Sequence, residues 1–498
     1  MAEKSVIIIG AGVAGLTAGC YAQMNGYTTQ IFEMDSKPGG LCTSWERKGY
    51  TIDGCLHWLV GSSPDSDFYR LWQEVGALQG KQVINHEQFY RVESTDGKVL
   101  TLYTDVDRLE QHLKEIAPED SEFIEELTTA IRHFTKLNLP VNKAPELYGP
   151  LDKLKMVFGM GSFMGDMRKW GKMTIKDVSM RFQNPFLREA FQRIMLPDFS
   201  SFFLLMTLAW LAQKNAGYVI GGSVGISRSM EQRYLGLGGK VNYASKVEKI
   251  LVEDNRAVGI KLEDGSEHKA DYVVSAADGH STIFDLLEGK YVDETIRGYY
   301  EGMPIFQPIV FVSLGVNRSF EDAPKLVSAL VFPLEKPIDV GGKEHKHLGV
   351  HIYNFDSTFA LPGKSVLTIM LESNFAHWDA LRKDMVRYNA EKAIIASDVI
   401  SALDKRFPGL ARQVEMADVA TPYTFYRYTG NWQGSYEGWL PQDMMLQMKK
   451  TLPGLENFYM IGQWVAPGGG LPSGLMTGRH VVQMLCKQDK KKFTTSTP

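Results

Sequence analysis

The first 33 residues follow the hydrophobic and polar order of a strand, a turn, a helix and a second strand. An apolar run at 6–9 leads into a glycine-rich turn at 10–15, and a stretch of small residues follows. A second apolar run at 29–32 ends at an acidic residue, Glu33. A short apolar run that stops at a glycine turn is typical of a buried strand, so the pattern predicts a strand–turn–helix–strand unit.

Two later segments carry related patterns. Apolar residues alternate through 247–252 and 257–262. A turn of two acidic residues and a glycine follows at 263–265, and a further apolar run lies at 271–277. This arrangement predicts a β-rich unit built around a hairpin. Near the end of the chain, an apolar strand at 458–463 leads through a loop into a helix that we expect to begin at Ser473.

The residues between these segments have a different character. Helical periodicity predominates from 71 to 216, where the apolar stretch 202–212 predicts a buried helix. Further along, the pattern predicts strands at 308–314 and 365–371, followed by one long helix at 382–405. The segments with strand-turn-helix character therefore lie at both ends and in the middle of the chain.

The glycine turn has the spacing of a dinucleotide-binding site. Gly10 permits a tight turn, Gly12 lets the backbone approach a pyrophosphate, and Gly15 lets the helix pack against the sheet. The N-terminus of the helix then offers free N–H groups and a partial positive charge to phosphates. Glu33 lies where an acid accepts hydrogen bonds from ribose hydroxyls, which favours a free ribose over a 2′-phosphate.

Composition narrows the functional class only moderately. The chain has 498 residues, 44% hydrophobic and 22% charged, which is an ordinary globular balance and long enough for two domains. The net charge of -4 argues against a nucleic-acid partner, and the four cysteines lack the spacing of a disulfide framework or a metal site. With no apparent signal peptide and no apolar run of about 20 residues, we expect a soluble, cytoplasmic protein.

Over nearly its whole length the chain resembles the phytoene desaturase, carotenoid isomerase and retinol saturase family. The segment 37–43 is similar to the family's second glycine pair, and 49–54 is similar to the strand that follows it. The middle block of the family resembles 221–241, and its last block resembles 459–475. The resemblance implies an FAD enzyme.

The resemblance also implies which residues bind the FAD. Val247 would hold the adenine through its backbone, and the last block would contact the isoalloxazine. The residues implied at the cofactor are Gly10, Gly12, Val13, Ala14, Gly15, Glu33, Met34, Gly39, Gly40, Leu41, Val247, Gly462, Gln463, Gly474 and Leu475.

We therefore predict an α/β fold with a discontinuous Rossmann-like FAD-binding domain and a second, mixed α+β substrate domain. The predicted boundaries are 1–70, 221–290 and 450–486 for the FAD-binding domain, 71–220 and 291–449 for the substrate domain, and 487–498 for a disordered tail.

The sequence departs from the family pattern at the places that bear on redox chemistry. Gln463 replaces the usual Asp after Gly462, and Leu41 replaces the usual Arg after the second glycine pair. Gly462-Gln463 and His57 are closer to the retinol saturase pattern. His57 is a candidate proton donor or acceptor, because imidazole titrates near neutral pH; the alternative is a structural histidine that bonds a backbone carbonyl.

The resemblance implies an FAD-dependent oxidoreductase that desaturates or saturates carbon–carbon bonds of a hydrophobic, isoprenoid or polyene-like substrate. Two alternatives stay open: a non-redox isomerase that uses reduced FAD, and a flavin-free isoprenoid-binding module like the Rab-escort proteins. The intact glycine motifs argue against the binding module.

One more segment bears on partners. Residues 156–164 are apolar and rich in methionine, and basic residues follow at 168–172. This composition predicts either peripheral contact with a membrane interface or a packed segment that lines the substrate cavity.

Overall fold

The computed structural model describes residues 3–441, 446 and 448–498. Its strands are β1 (Ser5–Ile9), β2 (Thr28–Phe32), β3 (Ser44–Arg47), β4 (Tyr50–Asp53), β5 (Leu59–Val60), β6 (Val83–Ile84), β7 (Gln88–Glu93), β8 (Val99–Tyr103), β9 (Ala216–Val219), β10 (Lys240–Asn242), β11 (Val247–Glu253), β12 (Arg256–Leu262), β13 (Glu267–Lys269), β14 (Tyr272–Ser275), β15 (Ile309–Val316), β16 (Leu330–Val340), β17 (Lys343–Ile352), β18 (Ser365–Glu372), β19 (Val414–Ala420) and β20 (Phe458–Met460).

Its α-helices are α1 (Val13–Met24), α2 (Asp67–Glu74), α3 (Val106–Ile116), α4 (Ser121–Phe134), α5 (Pro150–Met160), α6 (Met164–Gly171), α7 (Ile175–Ser179), α8 (Pro185–Phe191), α9 (Ser201–Ala212), α10 (Gly222–Gly236), α11 (Glu294–Gly302), α12 (Phe375–Leu381), α13 (Met385–Arg406), α14 (Pro422–Thr429) and α15 (Gly470–Gln488).

A parallel sheet with the order β10-β2-β1-β14-β20 forms the centre of the fold. Its strands come from the beginning, the middle and the end of the chain. Every strand points the same way, so all five carboxyl ends lie at one edge. The predicted α/β class is confirmed, because parallel strands and helices of this kind build a nucleotide-binding fold.

Helix α1 is buried almost throughout, between the sheet and α15. Its small residues allow the close approach. Gly478 of α15 lies so near that a Cβ atom there would stand 2.6 Å from the carbonyl oxygen of Ala14. A helix that is apolar all round is a core helix, and α1 accordingly lacks an exposed polar face.

The second large sheet is mixed and has the order β19-β15-β18-β17-β16-β7-β8. Helix α13 packs on one face of it, around Ile395, Val399 and Leu403. The helical pattern at 71–216 did not reveal β7 and β8. These strands join the large sheet through a partner that is distant in the sequence, because Leu330 and Val331 of β16 pair with β7.

The predicted helices at 202–212 and 382–405 differ in how well they match. Helix α9 closely matches the first and is buried as expected. The second corresponds to α13, which begins at Met385 because the Asp384 side chain accepts hydrogen bonds of 3.1 Å from the N–H groups of Val386 and Arg387. The shorter α12 is a separate helix that ends before the predicted range. The last helix likewise begins at Gly470 rather than at Ser473.

The structure does not bear out the disorder predicted for 487–498. Helix α15 continues to Gln488, and the ring of Phe493 lies 5.7 Å from that of Tyr21. The N–H of Thr494 donates a 2.8 Å hydrogen bond to the side chain of Asn25. The lysines before Phe493 give this segment a polar composition, but the ring of Phe493 packs against α1 at Tyr21.

No helix within 3–441, 446 and 448–498 combines the length and the hydropathy needed to cross a membrane.

Candidate functional site

A cavity of about 1470 Å³ opens at the carboxyl edge of the parallel sheet. The residue that directly follows each of β1, β2, β14 and β20 lines it: Gly10, Glu33, Ala276 and Ile461. Ligands of open parallel sheets bind outside the carboxyl ends of the strands, which is where this cavity lies. The volume exceeds the few hundred to one thousand Å³ typical of one small ligand, so there is room for a dinucleotide and a substrate.

The N-terminus of α1 faces this cavity. Gly12 is the N-cap residue, and the first turn of α1 contains no acidic side chain. The first N–H groups of a helix have no partner within it, and Val13 and Ala14 of this turn line the cavity. A Cβ atom on Gly12 would find nothing nearer than the carbonyl oxygen of Gly39, at 3.8 Å. Backbone N–H groups and open space suit a pyrophosphate.

Glu33 is buried at the end of β2, where it also faces the cavity. Its carboxylate accepts hydrogen bonds of 2.7 Å from the N–H of Ala11 and 2.9 Å from the N–H of Asp35. Burial raises the pKa of Glu33, and these backbone donors oppose the rise. The carboxylate is therefore held in a fixed position in which its remaining lone pairs can accept ribose hydroxyls.

The second glycine pair lies directly against the first turn. Gly39 pairs with Gly12 in a parallel bridge, and its N–H donates a 2.9 Å hydrogen bond to the carbonyl of Ala11. A Cβ atom on Gly40 would lie 3.5 Å from the Cα of Gly12. Two glycine-rich segments thus form one smooth backbone surface at the mouth of the sheet.

Most of the predicted cofactor residues come together in this cavity. Those that line it are Gly10, Gly12, Val13, Ala14, Glu33, Met34, Gly39, Gly40, Leu41, Val247, Gly462, Gln463 and Gly474. Their roles toward a bound cofactor stay predictions.

Gly15 and Leu475 do not line the cavity. A Cβ atom on Gly15 would lie 1.9 Å from the carbonyl oxygen of Gly10, so this glycine lets the helix close onto the turn. Leu475 is fully buried in the main hydrophobic core. The adjacent Gly474 faces the cavity, and consecutive helix residues point in different directions.

His57 lines the same cavity, and a buried carboxylate holds its loop in place. Asp53, at the end of β4, accepts 2.8 Å hydrogen bonds from the N–H groups of Cys55 and Leu56. The hydroxyl and N–H of Ser223 also donate to Asp53, both at 2.6 Å. This network fixes the loop before His57 to the start of α10, a positioning role for Asp53 that the sequence pattern did not indicate.

The surroundings of His57 keep its imidazole neutral. Burial lowers the pKa of His57 to about 4. Its Nδ1 lies 3.5 Å from the hydroxyl of Ser328, and its ring centroid lies 4.8 Å from that of His351. A neutral imidazole carries one donor and one acceptor, so His57 can hold a hydrogen bond on each side.

Beyond His57 the cavity is walled mainly by apolar side chains. Helix α9 contributes Phe203 and Trp210, and the mixed sheet contributes Phe311 and Met370. Aromatic residues of α14 line another part of the cavity. Among the described residues that line it, none comes from 156–164, so the interpretation of that segment as cavity lining is wrong.

Two carboxylic acids in the cavity wall, Asp278 and Glu437, were not predicted from the sequence. Burial raises the pKa of Asp278 to about 6, and Asp278 accepts 2.8 Å hydrogen bonds from the N–H groups of Ser281 and Trp432. Burial raises the pKa of Glu437 to about 8, and this side chain lies against the loop at Gly469. Neither belongs to a recognisable motif, so only the fold brings them to the site.

Comparison with known proteins agrees with this geometry. Residues 13–486 match the family model described as flavin-containing amine oxidoreductase. A chloroplastic prolycopene isomerase from Daucus carota is 25% identical over 517 residues, which cover 98% of this chain and 81% of that protein. A neurosporene-forming phytoene desaturase from Rhodobacter capsulatus is 26% identical over 504 residues, which cover 96% and 93%. These relatives confirm the resemblance described above.

Solved structures show the same fold. An oxidoreductase from Methanosarcina mazei aligns with a TM-score of 0.57 at 17% identity, over 96% of this chain and all of that one. A cyclohexylamine oxidase from Brevibacterium oxydans aligns with a TM-score of 0.57 at 14% identity, over 98% and 100%. At such identities the likeness concerns the fold.

Proposed function

The chain belongs to the flavin-containing amine oxidoreductase family, and on that premise we propose that it is an FAD-dependent oxidoreductase acting on carbon–carbon bonds of an isoprenoid or polyene substrate. The single observation that carries the proposal is the continuity of the cavity. It runs from the glycine turn at Gly12, past His57, to the apolar wall at Phe203 and Phe311. A dinucleotide and a long apolar ligand can therefore meet in one space.

The bound flavin supplies hydride transfer, while the chain supplies position and a dry environment. Glu33 is the proposed acceptor for ribose hydroxyls, and the N-terminus of α1 is the proposed site for the pyrophosphate. The N-terminus of α15, which lines the cavity from Gly470 to Gly474, is proposed to stabilise negative charge on the flavin ring. His57 is proposed to hold or move a proton beside the reacting bond.

The names of the relatives support both redox and non-redox chemistry. Similarity to a phytoene desaturase supports desaturation, and similarity to a prolycopene isomerase supports a second candidate, flavin-dependent isomerisation. Product mass separates these reactions, because saturation adds two hydrogen atoms, desaturation removes two and isomerisation leaves the mass unchanged.

The test is purification of the full chain, identification of its cofactor by absorption and mass, and incubation with phytoene, prolycopene and all-trans-retinol. A flavin spectrum and a product from any of these would support the proposal. A colourless protein that binds an isoprenoid without FAD would contradict it and favour the binding module. A flavin protein that oxidises only amines would place the chain with the amine oxidases instead.

We further propose that α5 contacts the surface of an anionic membrane. Helix α5 has no buried residue, and Leu151, Leu154 and Phe158 are exposed by 74%, 52% and 79% on one face. Lys153 and Lys155 lie on the same helix, so an apolar stripe is flanked by positive charge. Such a stripe suits the boundary between headgroups and acyl chains, where a hydrophobic substrate resides. A cytoplasmic location stays a prediction.

A vesicle experiment tests this contact. The wild-type chain is expected to sediment with phosphatidylglycerol vesicles and to bind phosphatidylcholine vesicles less. Replacement of Leu154 and Phe158 by serine should reduce sedimentation several-fold. The exposed Val386, on α13, gives a matched control when it is replaced by serine. Equal sedimentation of all three proteins would overturn the proposal.

A further inference from the structure

Strand β17 presents different chemistry on its two faces. Leu348, Val350 and Ile352 pack into the core beneath α13. The alternate residues His345, His347 and His351 line the cavity. Successive side chains of a strand point to opposite faces, so the three histidines form a row along one wall of the substrate space. A hydrocarbon ligand offers no hydrogen-bond partner to such a row of imidazoles.

His351 is the deepest of the row. The residue is only 3% exposed, and neither ring nitrogen makes a well-directed hydrogen bond within the part of the chain that the structure describes, although the backbone carbonyl of Leu326 lies close enough to favour the protonated ring. A buried polar atom without a partner costs about 1–3 kcal/mol, and native proteins rarely leave one unsatisfied. His351 therefore needs a hydrogen-bond partner from the cavity itself.

Other polar groups lie beside His351. His57 lies 4.8 Å away between ring centroids, and Ser328 lies 3.5 Å from the Nδ1 of His57. Thr368 of β18 is the register partner of His351 and also lines the cavity. We call His57, Ser328, His351 and Thr368 the histidine patch. Because apolar side chains surround it, the patch is an island of donors and acceptors in a mainly apolar wall.

The charge of the patch restricts its ligand. Burial lowers the pKa of His57 to about 4 and lowers that of His351 as well, so both imidazoles are neutral near pH 7. The two hydroxyl groups are also neutral. A buried carboxylate needs a cation or several donors, whereas a hydroxyl or carbonyl needs only one or two hydrogen bonds. The patch therefore fits a neutral oxygen atom.

We infer that the substrate is an oxygenated isoprenoid whose hydroxyl or carbonyl oxygen binds at the histidine patch. This inference rests on the proposed function, because that proposal puts an isoprenoid in the cavity. A site with buried donors discriminates strongly against an analogue without the oxygen, since its own polar atoms are then left unpaired. The hydrocarbon and the carboxylate of the same skeleton should both bind more weakly than the alcohol or aldehyde.

Direct binding tests this inference without turnover. Four ligands with one carbon skeleton are compared: all-trans-retinol, all-trans-retinal, all-trans-retinoic acid and the corresponding hydrocarbon, axerophthene. Trp58 and Trp210 line the cavity, so quenching of tryptophan fluorescence in the full-length protein reports occupancy. The alcohol and aldehyde are expected to bind roughly tenfold or more tightly than the hydrocarbon and the acid.

Variants assign the preference to the patch. His351→Phe keeps a ring of similar shape but removes both nitrogens, so the preference for the alcohol should disappear. His351→Gln restores a donor and an acceptor and should retain it. His377→Phe is the matched control, because His377 pairs with Glu391 away from the cavity. Melting curves exclude unfolding as the cause of any loss.

The outcomes separate this inference from the proposed function. Equal affinity for alcohol and hydrocarbon in the wild-type protein would overturn the inference alone, as would an unchanged preference in His351→Phe. Failure of all four ligands to bind a protein that converts phytoene or prolycopene would overturn the inference alone. Failure to bind or convert any of these isoprenoids would overturn the proposed function as well. Tighter binding of the acid than of the alcohol would overturn the assignment of a neutral oxygen.

Discussion

The carboxylate of Glu33 accepts a 2.7 Å hydrogen bond from the backbone N–H of Ala11. This contact joins the end of β2 to the turn after β1, so the proposed acceptor of ribose hydroxyls also fixes the turn that is proposed to receive the pyrophosphate. Two neighbouring strands of the parallel sheet are thereby held in register at their ligand-binding ends. The acid at this position is therefore a structural element as well as the proposed recognition group.

Substitution Glu33→Gln should weaken FAD binding by about tenfold or more. The amide keeps the shape of the side chain, but it loses the charge that strengthens bonds to N–H groups and ribose hydroxyls. Titration of the apoprotein with FAD, followed by flavin fluorescence, gives the dissociation constant. Glu46→Gln, at an exposed position of β3, is the control. An unchanged affinity in Glu33→Gln would refute the assignment of the ribose site.

Two alanine substitutions in the glycine turn should have different consequences. Gly12→Ala has space in the protein, since the nearest atom is 3.8 Å from the new Cβ, so the chain should fold with a nearly unchanged melting temperature. It should nevertheless lose most of its FAD, because the methyl group occupies the approach of the pyrophosphate. Gly15→Ala would place a Cβ 1.9 Å from a backbone oxygen and should reduce stability itself.

Thermal unfolding of the apoproteins and FAD content of the purified proteins check this pair. Retention of normal FAD content by Gly12→Ala would contradict a pyrophosphate at the turn. An unaltered melting temperature for Gly15→Ala would contradict the described packing of α1 on the turn.

The sequence predicted the cofactor part of the site because its signals are local. Gly10, Gly12 and Gly15 act through their own backbone, and a strand before them and an acid after them are visible within 33 residues. The order of strands in the parallel sheet could not be predicted from such local signals. The three segments of strand–turn–helix character, at both ends and in the middle of the chain, nevertheless indicated that distant parts of the chain meet in one domain. These are properties of short segments, which composition and spacing can reveal.

The substrate part of the site depends on contacts between distant segments. His351 and His57 are almost 300 residues apart in the sequence, yet their rings are 4.8 Å apart in the fold. Glu437 lies in an unremarkable segment, and only its position against Gly469 gives it a buried environment. No local pattern distinguishes such residues from ordinary surface or core residues, so a structure was required to find them.

His57 should be needed for turnover but not for cofactor binding. His57→Phe removes the group proposed to hold or move a proton, and loss of such a group typically reduces the rate by a factor of about 100 or more. The flavin spectrum should be unchanged, because the cofactor residues belong to other segments. The measurement is product formation per bound FAD. His112→Phe, on α3 and outside the cavity lining, is the control. Full activity of His57→Phe would favour the structural alternative.

Glu437 should make the protein less stable as the pH rises. Burial raises its pKa from about 4.5 to about 8, so between these values the folded chain retains a proton that the unfolded chain releases. Its contribution to stability is present in full below about pH 4.5 and declines until about pH 8. Each pKa unit corresponds to about 1.4 kcal/mol, and solvent screening of this half-buried side chain lowers the total.

Glu437→Gln removes this titration. Relative to wild type, the variant should gain unfolding free energy as the pH increases from 5 to about 8, as measured by urea denaturation at several pH values. Infrared difference spectra should also show one protonated carboxyl fewer in the variant at neutral pH. Glu344→Gln, at an exposed position of β17, should show neither effect. Parallel pH profiles for wild type and Glu437→Gln would disprove the raised pKa.

The C-terminal tail should contribute measurably to stability although its composition resembles that of a disordered segment. The ring of Phe493 lies 4.9 Å from the guanidinium of Arg479, which itself forms a buried ion pair with Glu74. Phe493→Ala removes this cover from a buried charge and should cost about 1–3 kcal/mol of unfolding free energy. Lys492→Ala changes an exposed neighbour and should cost far less. Urea denaturation curves at one pH measure the unfolding free energy of both variants. Equal midpoints for Phe493→Ala and wild type would show that the tail does not stabilise the fold.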